Sequence, residues 1–166
     1  MLAGEGFEPY ARMAVMARSI EGLPRAPFVP GIAMEPYRND WAEAFTAAEA
    51  AAMEGLAVFA EMGQPTGYEG AEGFDASVVA RDEAGLLGFA QAMVPEGWIN
   101  WLGVVPDARR RGIGRLLVAE VARQVREARG THLAALVEVD TPGQAFLGAL
   151  GFRERGSRRS LVIRRD

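Results

Sequence analysis

The segment "RRRGIGR", Arg109 to Arg115, sets four arginines around two glycines immediately ahead of an amphipathic run. The NH groups in the first turn of a helix have no partners inside it, and the helix dipole leaves partial positive charge there. An unblocked helix start is therefore an anion site. Gly112 and Gly114 carry no side chain to obstruct it, and Arg109, Arg110, Arg111 and Arg115 could neutralise a phosphate. The bland alternative is a tight loop whose arginines are solvated, and the segment alone does not decide between the two. A nucleoside triphosphate loop is disfavoured because no Gly-Lys-Ser/Thr follows. A dinucleotide fingerprint is disfavoured because Arg115, Leu116 and Leu117 stand where its third glycine would fall.

Composition narrows the chemistry. A chain of 166 residues is about one domain. With no cysteine, disulfides, thiolate metal ligands and a cysteine nucleophile are excluded, and with His132 as the single histidine no metal site is expected. The N-terminal residues lack the basic start and apolar stretch of a secretory signal, and no apolar run is long enough to span a membrane, so no membrane partner and a cytoplasmic location are expected. The net charge of -4 hides an asymmetry: residues 1–107 carry 5 Arg against 16 Asp and Glu, and residues 108–166 carry 13 Arg against 6. The acidic first part would repel a phosphate backbone, so nucleic acid is disfavoured as a partner.

The elements that must position the arginine cluster follow from periodicity. "FVPGIAMEPY" reads as a strand, and "RNDWAEAFTAAEAAAM" as a helix with Asn39 or Asp40 as N-cap. One short helix and a Gly, Pro and Glu loop are expected after Gly55. "FDASVVAR", a turn at "DEAG" and "LLGFAQAM" form a hairpin, and "WINWLGVV" adds a third strand. From Gly112, the positions Ile113, Leu116, Leu117, Val121, Val125 and Ala128 recur at helical spacing up to a stop at Gly130. "HLAALVEV" reads as a buried strand. Thr141, Pro142 and Gln144 fit a capped start for the short helix "GQAFLGAL", and "FRERGSRRSLVIRR" reads as a closing hairpin. The expected class is mixed α/β with a largely antiparallel sheet.

Taken together, "WINWLGVVP", "DARRRGIGRLL", the long helix, the strand and the short helix ending "LGALGF" resemble the Gcn5-related N-acetyltransferase (GNAT) family. The resemblance implies a twisted sheet of about six to seven strands flanked by about four helices. In that family an Arg or Gln, two residues, Gly, one residue and Gly or Ala hold the pyrophosphate of acetyl-CoA, a pattern matched by Arg109, Gly112 and Gly114. The implied cofactor-binding set is Leu102, Val104, Val105, Arg109, Arg110, Arg111, Gly112, Ile113, Gly114, Arg115 and Phe146. It further implies a strand bulge at Gly103, a slot beside it for the pantetheine arm, and an NH near Val104 that holds the thioester carbonyl. The implied reaction passes an acetyl group from acetyl-CoA directly to a primary amine of a small molecule or protein. A cationic acceptor is suggested by the acidic loop after the first helix. A homodimer is left open.

Two departures from the family concern proton transfer. Leu147 stands where a Tyr acid is common, Asn100 where a Glu base is common, and Asp140 replaces the usual Asn after the fifth strand. A thiolate leaves readily, whereas an alkylammonium must lose a proton before it attacks, so a missing base slows the reaction without forbidding it. Candidate bases are Asp140 and Glu138, then Glu69, Glu72 and Tyr68 in the loop. The alternative reading is a degenerate acyl-CoA-binding or regulatory module.

The beginning "GFEPYARMAVMARSI" is similar to the ending "GFRERGSRRSLVIRR". In tandem acetyltransferases, including those resembling mycothiol synthase, a last strand runs through such a linker into a second domain. Residues 1–27 are therefore read as an extension, with 28–166 as the acetyltransferase domain, and a strand over Met13 to Ile20 paired near the C-terminal segment is expected.

Overall fold

A computed structural model describes residues 7–57, 59 and 76–163, with side chains over 11–57, 59 and 76–158. The strands are β1 (Phe7–Ser19), β2 (Ala33–Pro36), β3 (Ala76–Arg81), β4 (Leu86–Met93), β5 (Trp98–Val104), β6 (His132–Glu138) and β7 (Arg153–Ile163). They form one seven-stranded sheet in the order β2-β3-β4-β5-β6-β1-β7. Every neighbouring pair is antiparallel except β5 and β6. Three α-helices lie among the described residues: α1 (Ala42–Met53), α2 (Ile113–Glu127) and α3 (Pro142–Ala149). The short helix expected after Gly55, and the loop with Tyr68, Glu69 and Glu72, fall largely or wholly outside the described residues.

Alternation along β4 separates two layers. A Cβ at Gly88 would lie 3.1 Å from Leu117 Cδ1 and 3.3 Å from Ile113 Cγ2, so Gly88, Ala90 and Ala92 face α2. Phe89 points the other way, with its ring centroid 5.0 Å from that of Phe45 in α1. The α2 layer holds the larger core, in which Ile113, Leu117, Val118, Val121, Ala122 and Val125 are buried. Truncating Leu117, which has no exposed surface, would cost about 2–5 kcal/mol. The polar face of α2 is solvated as its pattern predicts: Arg115, Arg123, Arg126 and Arg129 are exposed.

Helix α3 starts as the sequence predicts. Thr141 Oγ1 accepts from Gln144 N at 3.4 Å, and Gln144 Oε1 accepts from Asp140 N at 2.9 Å, with Pro142 at the first helical position. The start of α1 differs: Asn39–Trp41 is a turn of 3-10 helix, no side chain caps α1, and Asp40 pairs with Arg38 at 2.9 Å instead. The first expected strand is also shorter, because Gly31 at φ 76° turns the chain and leaves only Ala33–Pro36 in the sheet.

The ending is not a hairpin. Arg153–Ile163 is one strand, and β1 lies beside it, antiparallel, from Phe7↔Ile163 to Ala17↔Arg153. The expected strand is thus present over Phe7–Ser19. It lies between β6 and β7, and the Arg18 guanidinium donates to the carbonyls of Leu150 and Ser19. "RGS", which looks like a turn, contains a bulge: Val15 opposes Gly156 and Met16 opposes Glu154, leaving Arg155 without an opposite residue.

Candidate functional site

Strands β5 and β6 pair only at Trp98↔Ala134 and Ile99↔Ala135. Past that point β6 stays with β1 as far as Val139, whose N donates to Arg12 O at 2.8 Å, while β5 stays with β4 as far as Val105, whose N donates to Leu87 O at 3.0 Å. The two strands therefore part beyond Ile99 and leave a split in the middle of the sheet. Since Val105 turns its NH to β4, alternation turns the NH of Gly103 and Trp101 the same way and sends those of Leu102 and Val104 into the split. The predicted Val104 NH is thus among the groups that line it.

The bulge is not at Gly103. The β4 to β5 register slips between Gln91↔Trp101 and Ala92↔Ile99, so the extra residue is Asn100, exposed at the point where β5 leaves β6. Gly103 lies in regular register opposite Phe89, and a Cβ there would come within 2.5 Å of the Phe89 ring and 2.9 Å of Ala52 Cβ. Crowding from α1 and β4 explains this glycine.

The arginine cluster lies at the top of the split. A turn of 3-10 helix at Pro106–Ala108 leads into the loop, and α2 begins after Gly112, which is left-handed at φ 86°. No side chain caps α2, and no acidic residue lies in its first turn. Arg110, Arg111 and Arg115 are exposed around this positive end, an arrangement that repels itself until an anion joins it. Arg110 is itself left-handed at φ 65°, a conformation that costs a non-glycine residue about 1 kcal/mol.

Both glycines also answer to neighbours. A Cβ at Gly112 would lie 2.9 Å from Pro27 Cγ, and one at Gly114 2.9 Å from Phe146 Cζ. The sequence contained no sign that Pro27 and Val29 cover Gly112, since that contact joins distant segments. Arg109 turns away from the helix start: its Nε donates to Val104 O at 3.2 Å and its Nη2 to Ala52 O at 3.1 Å, tying the end of β5 to the end of α1. Ile113 is buried, so only its backbone is available at the loop, while Leu102, Val105 and Phe146 are half-buried beside the core.

The proton-transfer candidates are dispersed. Asp140 is exposed at φ 63° in the turn after β6, and Glu138 is half-buried at the end of β6, opposite Met13. Leu147 is 4% exposed and part of the core, so it is a packing position. His132 lies at the start of β6, the end remote from the loop, with Nδ1 2.8 Å from Thr131 Oγ1. Among the described residues, no three His, Asp or Glu gather as metal ligands, and no helix is long and apolar enough to cross a membrane.

Residues 83–161, which include the split, the loop, α2 and α3, match the family described as FR47-like protein. No curated protein matches the chain. The fold is similar to that of a GCN5-related N-acetyltransferase from Sphaerobacter thermophilus, with 20% identity, 95% of this chain and 53% of that chain covered, and a TM-score of 0.67. One from Kribbella flavida shares 22% identity over 96% of this chain and 61% of that chain, at a TM-score of 0.65. A tandem GNAT protein from the clavulanic acid biosynthesis pathway shares 17% identity over 96% of this chain and 55% of that chain, also at 0.65. The chain thus spans about half to three-fifths of the length of these structures.

Proposed function

Because the chain has the fold of the GCN5-related N-acetyltransferases, we propose that it transfers the acetyl group of acetyl-CoA to a primary amine. The observation that carries this reading is the conjunction of an uncapped helix start, ringed by Arg110, Arg111 and Arg115, with a sheet split whose wall presents the NH groups of Leu102 and Val104. The first suits a pyrophosphate and the second an extended amide-containing arm. The donor supplies the activated acetyl carbon. Val104 NH would hold its carbonyl oxygen and stabilise the charge that develops as the amine attacks. With no cysteine in the chain, no cysteinyl acyl-enzyme can form, and the transfer would be direct from donor to amine.

Asn100 lies at the bulge, beside the wall of the split, and its carboxamide cannot act as a base at neutral pH. Binding and orientation would supply most of the acceleration. Glu138 and Asp140, at and just past the C-terminal end of β6, are the candidates for removing the amine proton through water. The acidic composition of the loop after α1 favours a cationic acceptor.

The buried Leu147 favours a second reading, an acyl-CoA-binding module without efficient transfer. Calorimetric titration with acetyl-CoA, followed by thiol release over an amine panel, separates the two. Binding with thiol release is expected; binding without it establishes the module, and absence of binding overturns both.

A further inference from the structure

Phe28 is 90% exposed, the most exposed large apolar side chain among the described residues. Such exposure is unusual for a phenylalanine, and the segment that carries it is held at several points. Pro24, Pro27 and Pro30 recur at the three-residue period of a polyproline helix, a stiff form of chain. At its ends Leu23 N donates to Ile20 O at 3.3 Å and Ile32 N to Val29 O at 3.4 Å, and Leu23 and Ile32 pack against the larger core. In its middle, Pro27 Cγ lies 2.9 Å and Val29 Cγ2 3.4 Å from where a Cβ would stand on Gly112. Exposure follows the same period: Arg25 and Phe28 are exposed, whereas Ala26, Pro27 and Val29 are half-buried. The segment is thus a ridge against the arginine loop, with a cation and an aromatic ring along one outer edge.

Pro27 touches the Gly112 position and consecutive Cα atoms are about 3.8 Å apart, so no more than about 11 Å separates the Cα of Phe28 from that of Gly112. In acetyl-CoA the base stands one ribose away from the pyrophosphate, and that ribose carries a 3′-phosphate. A ribose on one side and a phenylalanine side chain on the other together bridge such a distance. A purine has a π-face that stacks on an aromatic ring, and a guanidinium pairs with a phosphate. Arg25 has no carboxylate partner among the described residues. A protein partner calls for a contiguous apolar patch, yet the exposed neighbours of Phe28 on the ridge are Arg25 and Pro30, and the other exposed large apolar residues, Met93 and Leu136, stand on β4 and β6.

We infer that Phe28 and Arg25 form the subsite for the 3′-phosphoadenosine end of the donor, the ring stacking on the adenine and the guanidinium meeting the 3′-phosphate. The inference rests on the acetyltransfer reading and extends its donor site beyond the pyrophosphate.

The test is calorimetric titration of the wild-type chain, Phe28→Ala, Phe28→Tyr and Arg25→Ala with acetyl-CoA, acetyl-3′-dephospho-CoA and acetyl-4′-phosphopantetheine. Phe28→Ala should weaken acetyl-CoA about tenfold and leave acetyl-4′-phosphopantetheine unchanged, and Phe28→Tyr should keep the wild-type affinity. Arg25→Ala should weaken acetyl-CoA about threefold and the dephospho donor not at all. Tm should stay the same in each variant, because these side chains are exposed. Wild-type affinity for acetyl-CoA in Phe28→Ala, or an equal loss for the donor that lacks adenosine, overturns the subsite. Self-association of the wild-type chain that Phe28→Ala abolishes, with donor affinity unchanged, assigns the ring to a second copy and also overturns it. If the wild-type chain does not bind acetyl-CoA, the acetyltransfer reading falls, and adenosine 3′,5′-bisphosphate alone decides the ridge: binding that Phe28→Ala abolishes sustains it, and no binding overturns it.

Discussion

The ring of Phe146 in α3 occupies the space beside Gly114 in the first turn of α2: a Cβ at Gly114 would stand 2.9 Å from Phe146 Cζ and 3.1 Å from Cε2. The glycine that leaves the helix start open is also what lets the two helices meet. Gly114→Val should therefore destabilise the chain by about 1–3 kcal/mol through overpacking. Phe146→Leu should restore part of that loss in the double variant, so that the two changes are not additive in denaturant unfolding.

Gly112 and Arg110 are both left-handed, and they should respond in opposite ways. Gly112→Asp places a Cβ against Pro27 and a carboxylate at the helix start, so it should weaken acetyl-CoA binding more than Arg110→Ala does, as read by calorimetry. Arg110→Gly removes the backbone strain and should raise stability by about 0.5–1 kcal/mol.

Arg109 should behave unlike its neighbours. Its hydrogen bonds go to the carbonyls of Val104 and Ala52, so Arg109→Ala should lower Tm and raise the KM for acetyl-CoA by an amount that changes little with salt. Arg110→Ala, Arg111→Ala and Arg115→Ala should leave Tm nearly unchanged and weaken binding most at low ionic strength, because screening already reduces their contribution at high salt. Titrations at two salt concentrations separate the classes.

Asn100 and Leu147 offer a contrast between an open position and a filled one. Asn100 is exposed at the bulge, so Asn100→Glu should fold normally and raise kcat/KM near neutral pH by up to about 100-fold where proton removal limits the rate. Leu147→Tyr places a larger, polar group in the core and should cost about 1–3 kcal/mol with no gain in rate.

The hydrogen bonds that Arg123 donates to Glu120 hold the Glu120 carboxyl below its ordinary value, against an opposing effect of burial. Its small contribution to stability is therefore fully present above the ordinary Glu range and is lost as pH falls through the lowered value. Glu120→Gln should flatten that part of the Tm against pH curve and change Tm little at neutral pH, since the partner arginine is largely exposed.

The local elements were legible where one segment carries its own period. The spacing of Ile113, Leu117, Val121 and Val125 gave α2, and "LLGFAQAM" coincides with β4. The misread elements depended on partners distant in the chain. Gly156 resembled a turn because Arg-Gly-Ser punctuates like one, and only the presence of β1 alongside keeps that segment extended. Gly103 looked like the bulge because glycine often marks one, yet register places the slip at Asn100 and the Phe89 ring accounts for the glycine. Arg109 is indistinguishable from its neighbours in sequence, which does not show which way a guanidinium turns. The proton-transfer residues stayed ambiguous because burial, which separates a core Leu147 from an exposed Asp140, is a property of the folded sheet.

The insertion of β1 between β6 and β7 imposes an order of events on a chain made from its N-terminus. Phe7 meets Ile163, and Met13 meets both Glu138 and Arg158, so β1 finds neither sheet neighbour until β6 and β7 have been made. The β2 to β5 meander and its helices can assemble early from contacts close in sequence. The half of the sheet that forms the far wall of the split must wait for its longest loops to close. Until then the apolar residues of β1 lack their sheet neighbours, and synthesis stalled before β6 would leave the split without its second side.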